Sequence, residues 1–143
     1  MRRNLQFLHS VLYLVKETVT DMKIEKTAED YLESMLIVKE KYGRIRSVDI
    51  AEQMGVTKPS VTYTTKRLRE SGLITMDKDG EINLTDEGLA IASRTYGRHK
   101  ILTDFLLSIG VSEENAREDA CKLEHDFSVE SFDALVAYIE KHR

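Results

Sequence analysis

The sequence predicts a mostly α-helical fold. Apolar residues recur at the spacing of amphipathic helices along most of the chain, and good N-cap residues precede several of these stretches. The 143 residues include a single proline and seven glycines, which argues against long loops. A hydrophobic content of 41% with 32% charged residues is typical of a globular protein built as one compact unit or two small ones. We therefore expect helices joined by short turns.

Residues 1–22 are expected to form an amphipathic extension ahead of this fold. Their apolar part, residues 5–15, contains polar side chains and is too short to span a bilayer. No small-residue cleavage site follows it. We therefore expect no membrane segment here. Met22 is an alternative start, because the patterned fold begins just after it.

Residues 23–85 are predicted to open with two helices. Thr27 is a suitable N-cap for the first, over residues 28–42, where apolar side chains keep helical spacing until Gly43. Ser47 is expected to cap a short second helix in the same way. These two helices provide the support against which a third can pack.

The third predicted helix, residues 58–71, has the composition of a DNA-recognition helix. Thr57 is its expected N-cap, Pro59 occupies its first turn, and Gly72 ends it. Its hydroxyl side chains can reach base edges or phosphates, and its basic side chains supply the charge that dominates affinity for DNA. A short helix, a turn at Gly55 and a helix of this kind form a helix-turn-helix.

Two strand-like runs follow, joined by a turn that contains Asp79-Gly80. An Asp-Gly turn between alternating runs predicts a β-hairpin, and a hairpin directly after a recognition helix makes residues 23–85 a winged helix-turn-helix domain. The alternative is a small helical domain with a solvated charged face. It is disfavoured because such a domain would not need a turn, a helix and a hairpin in this order. The residues expected to contact DNA are Arg44, Arg46, Thr57, Lys58, Pro59, Ser60, Thr62, Tyr63, Lys66, Arg67 and Lys78.

Charge is unevenly distributed along the chain. The formal net charge is −4, yet residues 44–69 contain six basic and two acidic side chains. Residues 112–143 contain nine acidic and four basic ones. The first segment is therefore suited to phosphate groups and the second to cations.

Residues 86–143 are predicted to form a helical domain of three helices. Thr85 is the expected cap of a long helix that ends at Gly110, and Ser112 and Ser128 are expected to cap the two that follow. The long and final helices carry enough apolar surface for a symmetric dimer.

Three side chains of metal-ligand type fall within five residues near the end of the chain. Cys121, Glu124 and His125 occupy positions i, i+3 and i+4, so a helix would place them on one face. A thiolate, a carboxylate and an imidazole together suit a divalent transition metal. The alternative is a half-buried cysteine beside solvated charges. As the chain's only cysteine, Cys121 forms no internal disulfide, which favours a reducing cytoplasm.

Two further ligand sets lie on other predicted helices. Asp30 and Glu33 share a helix face at i and i+3, and His99 lies midway along the long helix. An acidic pair of this kind is usually solvated, and a lone helical histidine is usually a surface or capping residue. Six such groups on three helices of a small protein are harder to explain in this way. We therefore expect a helical metal-binding and dimerisation domain.

Several short motifs occur in an order shared with a known family. They are Glu29-Asp30-Tyr31-Leu32-Glu33, Val48-Asp49-Ile50-Ala51-Glu52, Lys58-Pro59-Ser60-Val61-Thr62, Leu84-Thr85-Asp86-Glu87-Gly88, Arg98-His99-Lys100 and Asp119-Ala120-Cys121-Lys122-Leu123-Glu124-His125. On these motifs the chain resembles the diphtheria-toxin-repressor/manganese-transport-regulator family of metal-dependent repressors, in a short form without the SH3-like domain. The resemblance covers roughly residues 26–141.

The resemblance implies a metal site, its ion and its partners. The ion is Fe²⁺ or Mn²⁺, with Zn²⁺, Co²⁺ or Ni²⁺ as substitutes in vitro, and the partners are a second copy of the chain and double-stranded operator DNA. No membrane or organic substrate is expected. The implied ligands are Asp30, Glu33, His99, Cys121, Glu124 and His125.

The ligand set mixes two branches of that family. The pair Asp30 and Glu33 resembles the manganese-sensing branch, and Cys121 resembles the iron-sensing branch. Thr103 and Arg117 stand where the iron branch has additional ligands, which argues against a separate ancillary site. Because a thiolate is a softer ligand than a carboxylate, we expect a slight preference for Fe²⁺.

The function expected is that of a metal-dependent repressor in metal-ion homeostasis, not an enzyme. One alternative is a winged-helix regulator of the MarR type that senses an organic ligand, but it would not need this spacing of cysteine, glutamate and histidine. Another is a small metallohydrolase, which would need an open coordination position and a positioned base. Nothing beyond the six ligands indicates a substrate pocket.

Overall fold

The computed structural model describes residues 26–143, so the prediction for residues 1–22 lies outside the described part. The order of elements is α1 (Lys26–Tyr42), α2 (Ser47–Met54), α3 (Lys58–Glu70), β1 (Ile74–Met76), β2 (Ile82–Leu84), α4 (Asp86–Ser108), α5 (Glu113–Leu123) and α6 (Val129–Lys141). The mostly α-helical fold with a winged helix-turn-helix is confirmed. Among the described residues, no helix combines the length and the hydropathy needed to cross a bilayer.

Local capping sets the start of most of these helices. The hydroxyl of Thr57 accepts a hydrogen bond from the Ser60 amide, and Pro59 lies in the first turn of α3. The side chains of Thr85, Ser112 and Ser128 accept the equivalent amide bonds at α4, α5 and α6. Each cap satisfies a backbone N–H that the helix itself leaves without a partner.

Two predicted caps are wrong. Ser47 is already helical, and Arg46 is the N-cap of α2, without a side-chain bond. The backbone carbonyl of Arg46 instead accepts the amides of Asp49 and Ile50. Thr27 lies inside α1, which already includes Lys26. A hydroxyl residue favours a helix start but does not fix it, because neighbouring contacts also decide where the helix begins.

The β-hairpin forms in the predicted place. The strands β1 and β2 are antiparallel, with Ile74 opposite Leu84 and Met76 opposite Ile82. The amide of Ile82 also donates to the carbonyl of Ile45, so the segment between α1 and α2 lies beside the hairpin. The hairpin is therefore anchored to the helices that precede it.

Two apolar cores lie along α4. The first contains Leu32, Met35, Ile50, Val61 and other side chains of the winged helix, together with Ile91 and Ala92 of α4. The second contains Ile101 and Leu102 of α4 with Ala120, Phe132 and Val136. The helix α4 therefore joins the two halves of the fold, and residues between Ala92 and Ile101 lie at their junction.

The hairpin approaches the start of α4 at Gly88. A Cβ at this position would overlap the backbone carbonyl of Leu73. That carbonyl also accepts a hydrogen bond of 3.1 Å from the Thr85 amide, and the Thr85 hydroxyl donates to the Gly72 carbonyl at 2.8 Å. The absence of a side chain at Gly88 lets the wing lie directly on α4.

Replacing Gly88 by alanine tests this close approach. Alanine normally stabilises a helix relative to glycine by about 1 kcal/mol. Here the added methyl group would push the backbone of Leu73 away, so we expect the free energy of unfolding to fall by about 1–3 kcal/mol. Denaturant unfolding monitored by circular dichroism measures the change. A more stable variant would show that α4 and the wing are not in this contact.

Candidate metal centre

The helix α1 presents two carboxylates, one turn apart, at the junction between the cores. Glu33 is buried, with 7% of its surface exposed, and Asp30 is half-buried. Both lie among the apolar residues, such as Leu32 and Met35, that pack α1 into the first core, so that packing holds these carboxylates in place. A buried carboxylate requires a proton, a hydrogen-bond donor or a cation.

The remaining predicted ligands come from α4, α5 and the turn after α5. His99 lies on α4, and its Nδ1 is 3.0 Å from Oε2 of Glu124. Cys121 lies in the last turns of α5 and is exposed. Glu124 is the C-cap of α5 and is buried. His125 lies in the following turn, with its side chain 3% exposed.

The expectation that Cys121, Glu124 and His125 share one helix face is wrong for His125. The helix α5 ends at Leu123, Glu124 is its C-cap in a right-handed helical conformation, and His125 lies in a turn rather than in the helix. The chain turns here because Arg98 of α4 holds the backbone on both sides of the turn, as described below. His125 nevertheless reaches the same site, because the turn directs its ring towards α1.

Five of the six predicted ligands lie in two groups that share Glu124. Asp30, Cys121 and Glu124 form one group, and Glu33, His99 and Glu124 form the other. Within each group the ligand atoms lie within 4.8 Å of one another. His125 adjoins the first group, with Nε2 2.7 Å from Oδ1 of Asp30 and 3.3 Å from Oε1 of Glu124. The sequence prediction therefore identified side chains that are neighbours in space.

Several of these ligand atoms are buried without a hydrogen bond. Within the described part of the chain, no hydrogen-bond partner is found for Nδ1 of His99, either carboxylate oxygen of Glu124, or Nε2 of His125. They lie close together, but at angles unsuitable for hydrogen bonding. Buried polar atoms in this state destabilise a fold unless a ligand satisfies them. Carboxylate oxygens, imidazole nitrogens and one thiol converging in this way fit a divalent transition metal.

The protonation of the site follows from its burial. Burial, reinforced by the neighbouring Glu124, raises the pKa of the Glu33 carboxyl to about 9. Burial also raises the pKa of Glu124 to about 7. Although Cys121 is exposed as a residue, partial desolvation of its thiol beside Glu124 and Asp30 raises the pKa of that thiol to about 11. Burial lowers the pKa of the His99 imidazole. In the absence of a cation the site therefore retains protons near neutral pH, and a metal ion must displace them.

Arg98 is a residue that the sequence analysis quoted only within a motif. Its side chain is buried, and Nη1 donates to the backbone carbonyls of Glu124 at 3.1 Å and Phe127 at 3.0 Å. Its guanidinium lies 4.9 Å from the centre of the Phe132 ring. Arg98 therefore fixes the turn that carries Glu124 and His125. Its position directly before His99 was the available signal in the sequence.

Glu29 is a second residue whose place at the site the sequence analysis missed. Its Oε2 lies 2.6 Å from Nδ1 of His125, and its Oε1 accepts a hydrogen bond of 3.0 Å from Arg94 of α4. Glu29 therefore lies behind His125, on the side of the ring opposite Asp30. Its position directly before Asp30 in the first motif was the only sequence signal.

The side chains expected to contact DNA lie on α3 and beside the wing. On α3 and at its N-cap, Thr57, Lys58, Pro59, Ser60, Thr62, Tyr63, Lys66 and Arg67 are all exposed. Arg67 donates to the hydroxyl of Tyr63, which is 64% exposed. Arg44 is exposed and Arg46 half-buried next to the hairpin, and Lys78 is exposed in the hairpin turn. The arrangement presents a helix and a wing on the side of the domain away from its core.

A winged helix with a basic recognition helix, joined through α4 to a buried cluster of ligand side chains, defines a metal-responsive DNA-binding regulator. Comparisons with known families agree. Residues 23–82 match the model described as the iron-dependent repressor N-terminal DNA-binding domain. Residues 85–143 match the iron-dependent repressor metal-binding and dimerisation domain.

Individual relatives give the same result. The chain is 40% identical over 114 residues to the transcriptional regulator MntR of Escherichia coli O157:H7, covering 80% of this chain and 74% of that protein. It is 36% identical over 116 residues to MntR of Bacillus subtilis, covering 79% and 82%. It therefore belongs to the diphtheria-toxin-repressor/manganese-transport-regulator family of metal-dependent transcriptional repressors. This membership excludes the enzyme and MarR-type alternatives.

Solved structures show the same fold. The manganese regulator SloR superimposes with a TM-score of 0.70 at 30% identity, over 83% of this chain and 55% of that one. A manganese-dependent transcriptional repressor solved in complex with manganese gives a TM-score of 0.67 at 28% identity, over 78% and 53%. The chain thus spans about half the length of these solved chains.

The raised carboxyl pKa values predict how stability depends on pH. Glu33 and Glu124 have pKa values above the ordinary 4.5, so the metal-free fold favours their protonated forms. This stabilisation is complete below about pH 4.5 and is lost as the pH rises through about 7 and about 9. Added Mn²⁺ should therefore raise the melting temperature more as the pH increases. Thermal unfolding with Mn²⁺ or with a chelator, between about pH 6 and about pH 9, measures both trends.

Glu33→Gln is the control for this prediction. The amide is neutral at every pH, so the metal-free variant should lose part of the pH dependence seen in the native protein. A metal-induced change in melting temperature that is the same at all pH values would show that binding displaces no protons from these carboxyls.

Proposed function

We propose that this chain is a repressor activated by Mn²⁺ or Fe²⁺ that binds double-stranded operator DNA as a homodimer and controls metal-ion homeostasis. The observation that carries the proposal is the set of buried imidazole and carboxylate atoms without hydrogen bonds, contributed by His99 of α4 and by Glu124 and His125 at the end of α5. The carboxylates of α1 converge on these atoms. The reducing cytoplasm is the setting in which a free cysteine ligand and DNA binding are compatible.

The proposed ligands belong to different parts of the fold. Asp30 and Glu33 lie on α1, which builds the first core with α3, whereas Glu124 and His125 follow α5. Without a counter-charge the carboxylates repel one another or hold protons, and α1 is held less firmly against α4. A bound divalent cation would supply the positive charge that makes close approach of these groups favourable. Fixing α1 also fixes the orientation of α3, which shares its core.

The proposed division into domains follows the two cores. Residues 23–85 would form the winged helix-turn-helix and residues 86–143 the metal-binding and dimerisation domain. The matches to the two family models, over residues 23–82 and 85–143, support this division. The helix α4 nevertheless contributes Ile91 and Ala92 to the first core. A rigid helix shared by both domains is a suitable route for coupling between them.

The proposed dimer surface lies at the end of α4 and along α6. A groove there is lined by Ile101, Phe105, Ile139 and Tyr138, among others. Ile109 is 61% exposed and Tyr138 is 56% exposed. Exposed apolar side chains around a groove are typical of a surface that a partner covers. In a two-fold symmetric dimer, two recognition helices would be placed to meet successive major grooves.

The experiment that tests the function measures affinity for operator DNA in titrations with Mn²⁺, anaerobic Fe²⁺, Co²⁺ and Zn²⁺. The operator is first selected from random duplexes in the presence of Mn²⁺. Tight binding that requires a divalent ion and is abolished by a chelator supports the proposal. Equal affinity with and without metal would contradict it.

Cys121→Glu tests which ion is preferred. The thiol is the one soft group among harder ligands, so a carboxylate in its place should shift activation towards Mn²⁺ relative to Fe²⁺ or Co²⁺. Helical content and dimerisation should remain unchanged, because Cys121 is exposed and outside both cores. The readout is the concentration of each ion that gives half-maximal DNA binding.

His125→Ala is the matched comparison for this variant. It removes a ligand without altering the balance between soft and hard ligands, so the response to every ion should weaken alike. If Cys121→Glu leaves the order of the ions unchanged, Cys121 does not determine the metal preference.

Lys66→Ala tests the DNA surface. Lys66 is exposed on α3, and we expect it to contact phosphate rather than bases. Its removal should weaken binding to all sequences alike and reduce the slope of log affinity against log salt by about one. Lys141→Ala removes the same charge from α6 and should leave the slope unchanged. Equal slopes for Lys66→Ala and the native protein would remove Lys66 from the interface.

A further inference from the structure

The ring of His125 has carboxylates on both sides. Nε2 faces Asp30 and Glu124, which belong to the candidate metal centre. Nδ1 faces Oε2 of Glu29 at 2.6 Å, and this second pair has hydrogen-bonding geometry. The His125 side chain is 3% exposed and that of Glu29 is 13% exposed, so little water competes for either nitrogen.

Glu29 is not placed to bind the ion itself. One of its carboxylate oxygens is bonded to His125 and the other to Arg94, at 3.0 Å. Neither group of converging ligand atoms includes it. Its neighbour Asp30, one residue along α1, instead faces the opposite ring nitrogen. Consecutive helix residues point about 100° apart, which explains how α1 contacts both edges of one imidazole.

The contact decides which nitrogen of His125 is available. A carboxylate accepts hydrogen bonds and cannot donate one when ionised, so the proton of a neutral His125 is held on Nδ1. Nε2 then carries the free lone pair, directed at Asp30 and Glu124. In metal sites generally, a carboxylate behind a ligating histidine fixes its tautomer and orientation and increases its basicity.

Arg94 completes the arrangement from α4. Its guanidinium donates to Oε1 of Glu29, so it holds that carboxylate in place and offsets its charge. The three side chains Arg94, Glu29 and His125 thus link α4, α1 and the turn after α5. This link consists only of protein groups.

We propose that Glu29 is a positioning residue for His125, which holds the imidazole with Nε2 presented to the metal and is itself oriented by Arg94. The inference rests on the proposed metal site and adds to it a residue that does not touch the ion. The inference predicts that replacing Glu29 lowers the affinity for every divalent ion without changing the number of ions bound.

The test compares the full-length native protein with Glu29→Ala, Glu29→Gln and Glu40→Ala. Glu40 is the matched control, because it also joins α1 to α4, by accepting a 3.0 Å hydrogen bond from the Tyr96 hydroxyl, but contacts no candidate ligand. Mn²⁺ affinity and stoichiometry are measured by the electron paramagnetic resonance signal of the free ion. Thermal unfolding in chelator checks that each variant is folded.

Glu29→Ala should weaken Mn²⁺ binding about 10- to 100-fold with unchanged stoichiometry. Glu29→Gln should have a smaller effect, because the amide keeps one acceptor oxygen, for either His125 or Arg94, and loses the other to an NH2 group that can only donate. Glu40→Ala should bind Mn²⁺ as the native protein does. A loss in Glu29→Ala no larger than that in Glu40→Ala would overturn the inference, and so would a stoichiometry reduced by one, which would make Glu29 a ligand.

A second readout is independent of affinity. In protein loaded with Zn²⁺, which is diamagnetic, the Nδ1 proton of His125 should give a nuclear magnetic resonance signal protected from exchange. This signal should be lost in Glu29→Ala and retained in Glu40→Ala. Its persistence in Glu29→Ala would overturn the inference. Native protein that binds neither Mn²⁺ nor Zn²⁺ would instead overturn the proposed function, and the positioning role with it.

Discussion

The carboxylate of Glu124 is the group on which the candidate metal centre depends. It is 1% exposed, it belongs to both groups of converging ligand atoms, and neither oxygen has a hydrogen bond within the described part of the chain. A carboxylate in this position is unfavourable by itself, and burial raises its pKa to about 7. The other proposed ligands lie around it: His99 from α4, Cys121 from α5, His125 from the adjacent turn, and the acidic pair from α1. Burying this carboxylate destabilises the fold unless a proton or a cation neutralises its charge.

The two ligand groups differ in their exposure to solvent. The group with Asp30 and Cys121 has one half-buried and one exposed member, whereas the group with Glu33 and His99 is more deeply enclosed. Glu124 belongs to both groups, so a change of charge in the group with Asp30 and Cys121 alters the electrostatic potential at the Glu33 carboxyl. The ionisation of Glu33 is therefore coupled to that of Glu124, because the two carboxyls share a low-dielectric environment.

The parts of the structure that local sequence determines were predictable. Thr57, Thr85, Ser112 and Ser128 cap helices as expected, because a cap depends on residues within one turn. The hairpin followed from its Asp-Gly turn. The six proposed ligands were identified by residue type and by resemblance, and the structure brings them together.

The features that were missed depend on residues far apart in the chain. The end of α5 is fixed by Arg98, which precedes Glu124 by 26 residues, so the helical spacing of Cys121 and His125 gave the wrong local conformation. The contact of Glu29 with His125 joins residues 96 positions apart. Neither contact leaves a periodic pattern, and both concern side chains that would otherwise be taken for solvated charges.

The close contact of the Leu73 backbone with Gly88 couples the motion of the wing to that of α4. Because Leu73 lies directly on the helix backbone, the wing has no flexible side chain between it and α4, and the two must move together. His99 lies 11 residues along the same helix (99 − 88), a distance of about 16 Å at 1.5 Å per residue. A tilt of α4 by roughly 10° about the level of His99 would therefore displace the wing by about 3 Å, the length of a hydrogen bond. A small change in the tilt of α4 near His99 is therefore amplified into a displacement of several ångströms at the wing.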